Sequence, residues 1–160
     1  MAKIIAICGK ICSGKTYYAH QIREENQAVI LSCDELTKDL FDNELGDKHD
    51  EMTLRIRNYF QKKSVELVHA GCNVILDWGF WSSESRKDLT AFCQSAHVPC
   101  EWHYMDVDDE TWHRNIEARH QRIISGQGGS DYDLDEGLMK KLLSFWETPT
   151  RDEIDVWHKV

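Results

Sequence analysis

Short apolar runs alternate along this chain with longer stretches in which apolar residues recur at helical spacing. The first run, Ile4-Ile5-Ala6-Ile7-Cys8, is continuous and partly β-branched, which predicts a buried strand. Residues 17–26 follow with Tyr18, Ala19 and Ile22 at helical spacing. A second short strand is predicted at Ala28-Val29-Ile30-Leu31, ending near Ser32. Residues 36–45 then read as a helix with Leu36, Leu40 and Phe41 on one face.

A longer helix is predicted over residues 51–70, its buried stripe marked by Met52, Ile56, Tyr59, Phe60, Leu67 and Val68. Gly71 is placed to end it, and Arg55 and Arg57 are assigned to its solvated face, with a role in gripping an acceptor as the alternative. Asn73-Val74-Ile75-Leu76-Asp77 gives a third strand. Ser82 or Ser83 caps a helix running to about Ala96, with Leu89 and Phe92 inward. The fourth strand, residues 100–105, lies between Pro99 and Asp106. A helix capped by Asp108 carries Trp112, Ile116 and Ile123 on one side. After the glycine-rich stretch 125–130, Asp133 or Asp135 opens a last helix that Thr148-Pro149 stops, and residues 154–157 read as a terminal edge strand.

Composition narrows the class. The chain has 160 residues, enough for one domain with a sizeable core, expected to span residues 1–160. Its formal net charge of −9 argues against a polyanion as the main partner. No apolar run reaches membrane-spanning length, and residues 1–3 lead straight into the first strand, so no signal peptide is expected. Six cysteines occur without a C-x-x-C pair, which points to a reduced, cytoplasmic protein. Cys100 and His103 have a ligand-like gap but no second pair, so no zinc site is assigned.

Between the first strand and the first helix stands Gly9-Lys10-Ile11-Cys12-Ser13-Gly14-Lys15-Thr16, which fits G-x-x-x-x-G-K-[ST] at every fixed position. Such a loop presents bare backbone to a polyphosphate, so a Cβ at Gly9 or Gly14 would obstruct it. Its N–H groups and the helix N-terminus face the phosphate oxygens. Lys15 brings a charge to the β- and γ-phosphates, and Thr16 offers a hydroxyl to Mg²⁺.

Other candidate residues cluster at predicted strand ends. Asp34 falls just beyond the second strand, where open α/β sheets bind ligands; it is equally placed to cap the next helix. Asp77 closes the third strand as a Walker-B-like carboxylate would, holding Mg²⁺ with Thr16. Trp78, Phe80 and Trp81 either wall an acceptor pocket or close the core over the sheet's end. Arg86 lies in a helix's first turn, against the dipole, and suits an anion partner or a surface ion pair. Arg114, Arg119 and Arg122 flank the glycine stretch; a lid over residues 114–133 that closes on phosphates is expected, with an ordinary connector as the alternative.

Together the phosphate loop, Asp34, the Val-Ile-Leu-Asp-Trp-Gly-Phe-Trp-Ser-Ser-Glu-Ser-Arg segment and the Arg114-to-Arg119 helix resemble the small-kinase branch of AAA-type ATP-binding proteins. That branch includes polynucleotide 5′-kinase domains, chloramphenicol phosphotransferase, gluconate kinase and zeta-toxin kinases. The resemblance implies an α/β P-loop NTPase fold of three layers, a parallel sheet in the order 2-3-1-4-5, helices on both faces and a small helical lid. It also implies Asp34 as general base, Asp77 and Arg86 at the acceptor and metal side, and Arg114 and Arg119 as lid arginines. Lys15, Asp34 and Arg119 are then the candidate catalytic residues. Gly9 to Thr16 with Arg114, Arg119 and Arg122 would bind nucleotide, and Asp34, Asp77, Trp78, Trp81 and Arg86 the acceptor.

The function expected is transfer of the γ-phosphate of ATP-Mg²⁺ to a hydroxyl of a small molecule. The alternatives are a polynucleotide or nucleoside 5′-kinase, disfavoured by the net charge, and a non-kinase regulatory NTPase. No N-K-x-D guanine signature occurs.

Overall fold

In the computed structural model, which describes residues 1–42, 44–129 and 134–160, five parallel strands form one sheet in the order β2-β3-β1-β4-β5. They are β1 (Ile4–Cys8), β2 (Ala28–Ser32), β3 (Asn73–Asp77), β4 (Cys100–Asp106) and β5 (Val156–Lys159). Six α-helices occur among the described residues: α1 (Lys15–Glu25), α2 (Cys33–Phe41), α3 (His49–His69), α4 (Ser83–Ser95), α5 (Asp109–Ile124) and α6 (Glu136–Ser144).

Alternation along β1 feeds two apolar layers. Ile4, Ala6 and Cys8 join Ile56, Phe60 and Val68 of α3 and Leu89 and Cys93 of α4. Ile5 and Ile7 meet Tyr18 and Ala19 of α1 on the other face. A strand covered on both sides must be apolar throughout, and all of β1 is buried. Helices therefore flank both faces, as expected. The order turns outward from β1 toward β3 on one side and β4 on the other. That places the loop after β1 at the switch point, above the carboxyl ends of the strands.

The sequence pattern misjudges some ends. Helix α1 begins at Lys15 rather than Tyr17, because the phosphate loop feeds straight into it. Ser32, not Asp34, caps α2: its side chain accepts from Glu35 N at 3.3 Å, leaving Asp34 in the first turn. Phe41 ends α2 and Asp42 turns left-handed at φ 49, earlier than the expected Leu45. A 3-10 turn at Gly46–Lys48 leads into α3. Asp135 caps α6, accepting from Leu138 N at 2.7 Å, whereas the other expected cap, Asp133, lies outside the described residues. Residues 130–133 of the expected lid also lie outside them. The terminal strand forms two residues later than expected and pairs with β4, Tyr104 beside Trp157. All six cysteines are free thiols.

Candidate active site

Gly9 to Thr16 wraps the start of α1. Gly14 has φ 91, and Cys12 shares the left-handed region at φ 60. A Cβ on Gly9 would run into Ser13 Oγ and press on Met105 Cβ at 3.2 Å. The Gly14 cap offers no side-chain acceptor, and the first turn of α1 carries no acid. Its leading N–H groups are thus left for an anion. Lys15 Nζ folds back and donates to the Gly9 and Lys10 carbonyls, each at 2.9 Å. Burial pulls Lys15 below the usual lysine range, with Asp77 and Asp34 opposing the shift. A phosphate arriving there would relieve the desolvated charge.

Thr16 Oγ1 donates to Asp77 Oδ2 at 2.9 Å. Burial pushes the Asp77 carboxyl above its ordinary value, against the pull of the Thr16 hydroxyl and Lys15. A hydroxyl and a buried carboxylate are both hard oxygen donors, and Mg²⁺ fits such a pair when phosphate and water complete its shell. Among the described residues no cluster of three or more His, Cys, Asp or Glu stands ready for a metal, so phosphate oxygens and water would supply the remaining ligands. A cavity of about 400 Å³ opens beside the pair, edged by His20, Ser32, Glu35, Lys38, Asp39 and Gly129.

Asp34 faces solvent, yet protein crowds its carboxylate on most sides. That desolvation raises its pKa, while Arg119, Lys15, Arg57 and His49 pull the other way, Arg119 most strongly. The second carboxylate thus shares one field with the loop lysine and with cations from two helices.

Helix α5 braces the loop from the opposite side, a role the sequence reading did not assign. Trp112 Nε1 donates to Ile11 O at 2.7 Å, and Asn115 Nδ2 donates to Cys12 O at 3.0 Å. Arg119 Nη1 reaches Cys12 Sγ at 3.8 Å. Lys10 Nζ lies 4.0 Å from the centre of the Trp112 ring. Residues 112, 115 and 119 form one stripe at helical spacing, and that spacing was the available signal. Arg114 stands about 140° from Arg119 around the helix axis. Its Nη2 therefore donates to Thr111 Oγ1 of its own helix at 3.0 Å, in an exposed position, and it does not join Arg119 at the loop. Arg122 is also exposed.

The expected acceptor wall is only partly assembled. Trp78 is buried between Phe60 and Phe80, at centroid separations of 6.3 and 5.1 Å, so it closes the core. Arg86 is 2% exposed. It donates to Glu153 Oε1 at 3.1 Å and to the Phe80 carbonyl at 3.0 Å. These partners make it an interior clamp that ties α4 to the segment before β5, in place of the acceptor contact expected. Trp81 is half-buried over Gly79, whose carbonyl accepts from Gly9 N at 3.5 Å. Arg57, assigned to a solvated face, instead turns inward to act on Asp34 and the Cys33 thiol.

A five-stranded parallel sheet in this order, with the phosphate loop at its switch point, defines a P-loop NTPase-like protein of the α/β class. A family model described as AAA domain matches residues 4–144, and the chain belongs to that family. No curated protein matches it. Among solved structures, a provisionally assigned kinase from Chloroflexus aurantiacus j-10-fl superposes with a TM-score of 0.74 at 15% identity, over 99% of this chain and 87% of that one. The Mycobacterium tuberculosis APS kinase, solved with AMPPNP and APS, gives 0.63 at 14% identity over 99% and 88%. A chain of the Pnkp1/Rnl/Hen1 RNA repair complex gives 0.68 at 19% over 90% of this chain and 43% of its own. At these identities the likeness concerns the fold. Among the described residues no helix is long and apolar enough to cross a membrane.

Proposed function

We propose that the protein is an ATP-dependent phosphotransferase that moves the γ-phosphoryl group of ATP-Mg²⁺ to a hydroxyl of a small molecule. One observation carries the reading: Asp34, a carboxylate outside the phosphate loop and the metal pair, lies within the field of Lys15 and Arg119. Phosphoryl transfer needs placement and charge stabilisation above all. Gly9 to Gly14 cradle the phosphates, and Lys15 and Arg119 oppose the charge that spreads over the transferring group. Thr16 and Asp77 would hold Mg²⁺, which when bound neutralises the β- and γ-phosphate oxygens. Asp34 orients the acceptor hydroxyl and takes its proton. Arg119 with the stretch toward Gly129 would serve as a lid. The acidic balance of the chain supports a small acceptor over a nucleic acid, and free thiols suit a cytoplasmic setting.

The test is ATP consumption with Mg²⁺ across hydroxyl-bearing metabolites, nucleosides, antibiotics and 5′-hydroxyl oligonucleotides. Turnover that rises with one small acceptor and falls with Asp34→Asn supports the reading. Tight ATP binding with turnover that no acceptor stimulates would favour a regulatory NTPase.

A further inference from the structure

The inward stripe of α3 changes character along the helix. Ile56, Phe60, Ser64 and Val68 are buried, and the three apolar ones pack in the core under the sheet. Toward the N-terminus the same stripe continues as Arg57, Thr53 and His49, each step of four residues turning only about 40°. Because β2 and β3 are parallel, α3 runs back from the carboxyl edge of the sheet, so this polar end starts at that edge, where α2 carries Asp34.

Two of these side chains carry buried polar atoms without a hydrogen-bond partner, Thr53 Oγ1 and Arg57 Nε. Leaving a buried donor unpaired costs about 1–3 kcal/mol, so such donors side by side suit a ligand. Arg57 forms no ion pair among the described residues, whereas Arg55, two positions away, pairs with Glu51 at 2.6 Å on the surface. Arg57 lies against the Cys33 thiol, which burial pushes up to about 12, and it acts on Asp34 together with His49. In a chain of net charge −9, a cation turned inward beside the candidate base is out of keeping with a solvating role.

We propose that Thr53 and Arg57, with His49 at the rim, bind an anionic group of the acceptor, a carboxylate, phosphate or sulfate, and thereby hold its hydroxyl at Asp34. The guanidinium fork matches the paired oxygens of such groups, and the Thr53 hydroxyl adds a donor one turn away. The assignment to an acceptor rests on the phosphotransferase reading; the anion site itself does not.

Two measurements separate the two. In the first, sodium sulfate is titrated into protein saturated with AMPPNP-Mg²⁺, at constant ionic strength, and heat is recorded. Wild type binds one sulfate. Arg57→Met weakens it about 10–100-fold and Thr53→Val, nearly isosteric, about fivefold, in line with charged and neutral hydrogen bonds. Unchanged sulfate affinity in both variants, or no sulfate binding in wild type, overturns the site. In the second, ATP turnover is compared for matched acceptors: glycerate against glycerol, gluconate against glucitol, adenosine 3′-phosphate against adenosine, and a 5′-hydroxyl oligonucleotide. The anionic member of a small pair is favoured, and Arg57→Met raises its KM while the KM for ATP stays put. Equal use of neutral and anionic members overturns the proposal and leaves the kinase reading standing. Sulfate bound through Arg57 with no acceptor phosphorylated upholds the anion site and sinks the phosphotransferase reading instead. Preference for the oligonucleotide over every small anion overturns the small-acceptor class.

Discussion

The indole N–H of Trp112 donates to the Ile11 carbonyl at 2.7 Å, so helix α5 holds a phosphate-loop carbonyl in place from the far end of the chain's β4 crossover. Asn115 does the same for Cys12 at 3.0 Å. The loop is therefore pre-shaped by a helix about a hundred residues away in sequence, and binding need not first order it.

This gives the first prediction. Trp112→Phe keeps a ring beneath Lys10 but removes the donor. One neutral hydrogen bond contributes about 1 kcal/mol, so AMPPNP affinity should fall about fivefold with little change in thermal midpoint. Trp112→Ala also removes the ring and should lose more of both. Calorimetric titration beside a thermal melt measures the two effects. Unchanged affinity in Trp112→Ala would show that the loop holds its shape without α5.

Asp77 supplies the second. Its folded-state pKa stands above the ordinary carboxylate value because burial disfavours its charge, with nearby Asp34 adding to the shift. The unfolded chain thus gives up this proton more readily than the folded one. The contribution of Asp77 to stability is fullest at low pH, where the group is protonated in both states. It is lost as pH rises from the ordinary carboxylate value through the raised one. Asp77→Asn removes that loss, so at neutral pH the nucleotide-free variant should melt no lower than wild type. The same change removes a hard ligand, so the extra stabilisation by ATP-Mg²⁺ over ATP alone should disappear. Melting with and without Mg²⁺ checks both halves.

How far the sequence carried these conclusions varies with the physics involved. The phosphate loop was legible because its chemistry demands fixed residue types at fixed spacing. The strands were legible because burial on two faces leaves a continuous apolar run, as in β1. Arg57 was misplaced, and Trp78 was left between two readings, because neither pattern shows how a side chain packs at the sheet's edge. An apolar stripe shows which side of a helix turns inward, yet Arg57 lies on that side, at the end nearest the sheet's carboxyl edge. Trp78 follows a strand end, and only the packing of Phe60 and Phe80 decides that it faces the core. Arg114 and Arg119 looked equivalent as a charge cluster; their separation around the helix axis distinguishes them.

Asp34 yields a pH prediction. Crowding raises its pKa, and Arg119, Lys15, Arg57 and His49 hold that rise in check, while Asp77 is the other carboxylate in the field. If Asp34 takes the acceptor proton, kcat should fall as pH drops through a value above the ordinary carboxylate range. Arg57→Met removes one restraining cation, so the acid limb should move to higher pH. Asp34→Asn should lower kcat about 10²–10⁴-fold and abolish that limb while leaving ATP affinity nearly intact. A pH profile of kcat for the three proteins decides it; an acid limb that survives in Asp34→Asn assigns the base elsewhere.

The last prediction concerns Lys15. In the nucleotide-free protein its ammonium is satisfied locally, by Gly9 O and Lys10 O at 2.9 Å and more loosely by Ser13 Oγ at 3.5 Å. Burial still lowers its pKa, so the charge is held at some expense to the fold and is better matched by phosphate than by carbonyls. Lys15→Met keeps most of the side-chain volume and deletes the charge. The thermal midpoint without nucleotide should therefore shift only slightly, relief of the desolvated charge offsetting the lost contacts to two carbonyls. Phosphoryl transfer should fall about 10²–10³-fold, as when one preorganised donor to the developing charge is removed. The gain in midpoint on adding ATP-Mg²⁺ should shrink in parallel, since ligand stabilisation follows affinity for the folded state. Melting curves and single-turnover transfer, run on one preparation, separate these effects. Near wild-type transfer in Lys15→Met would remove the phosphate loop from the chemistry, and the proposed phosphotransferase with it.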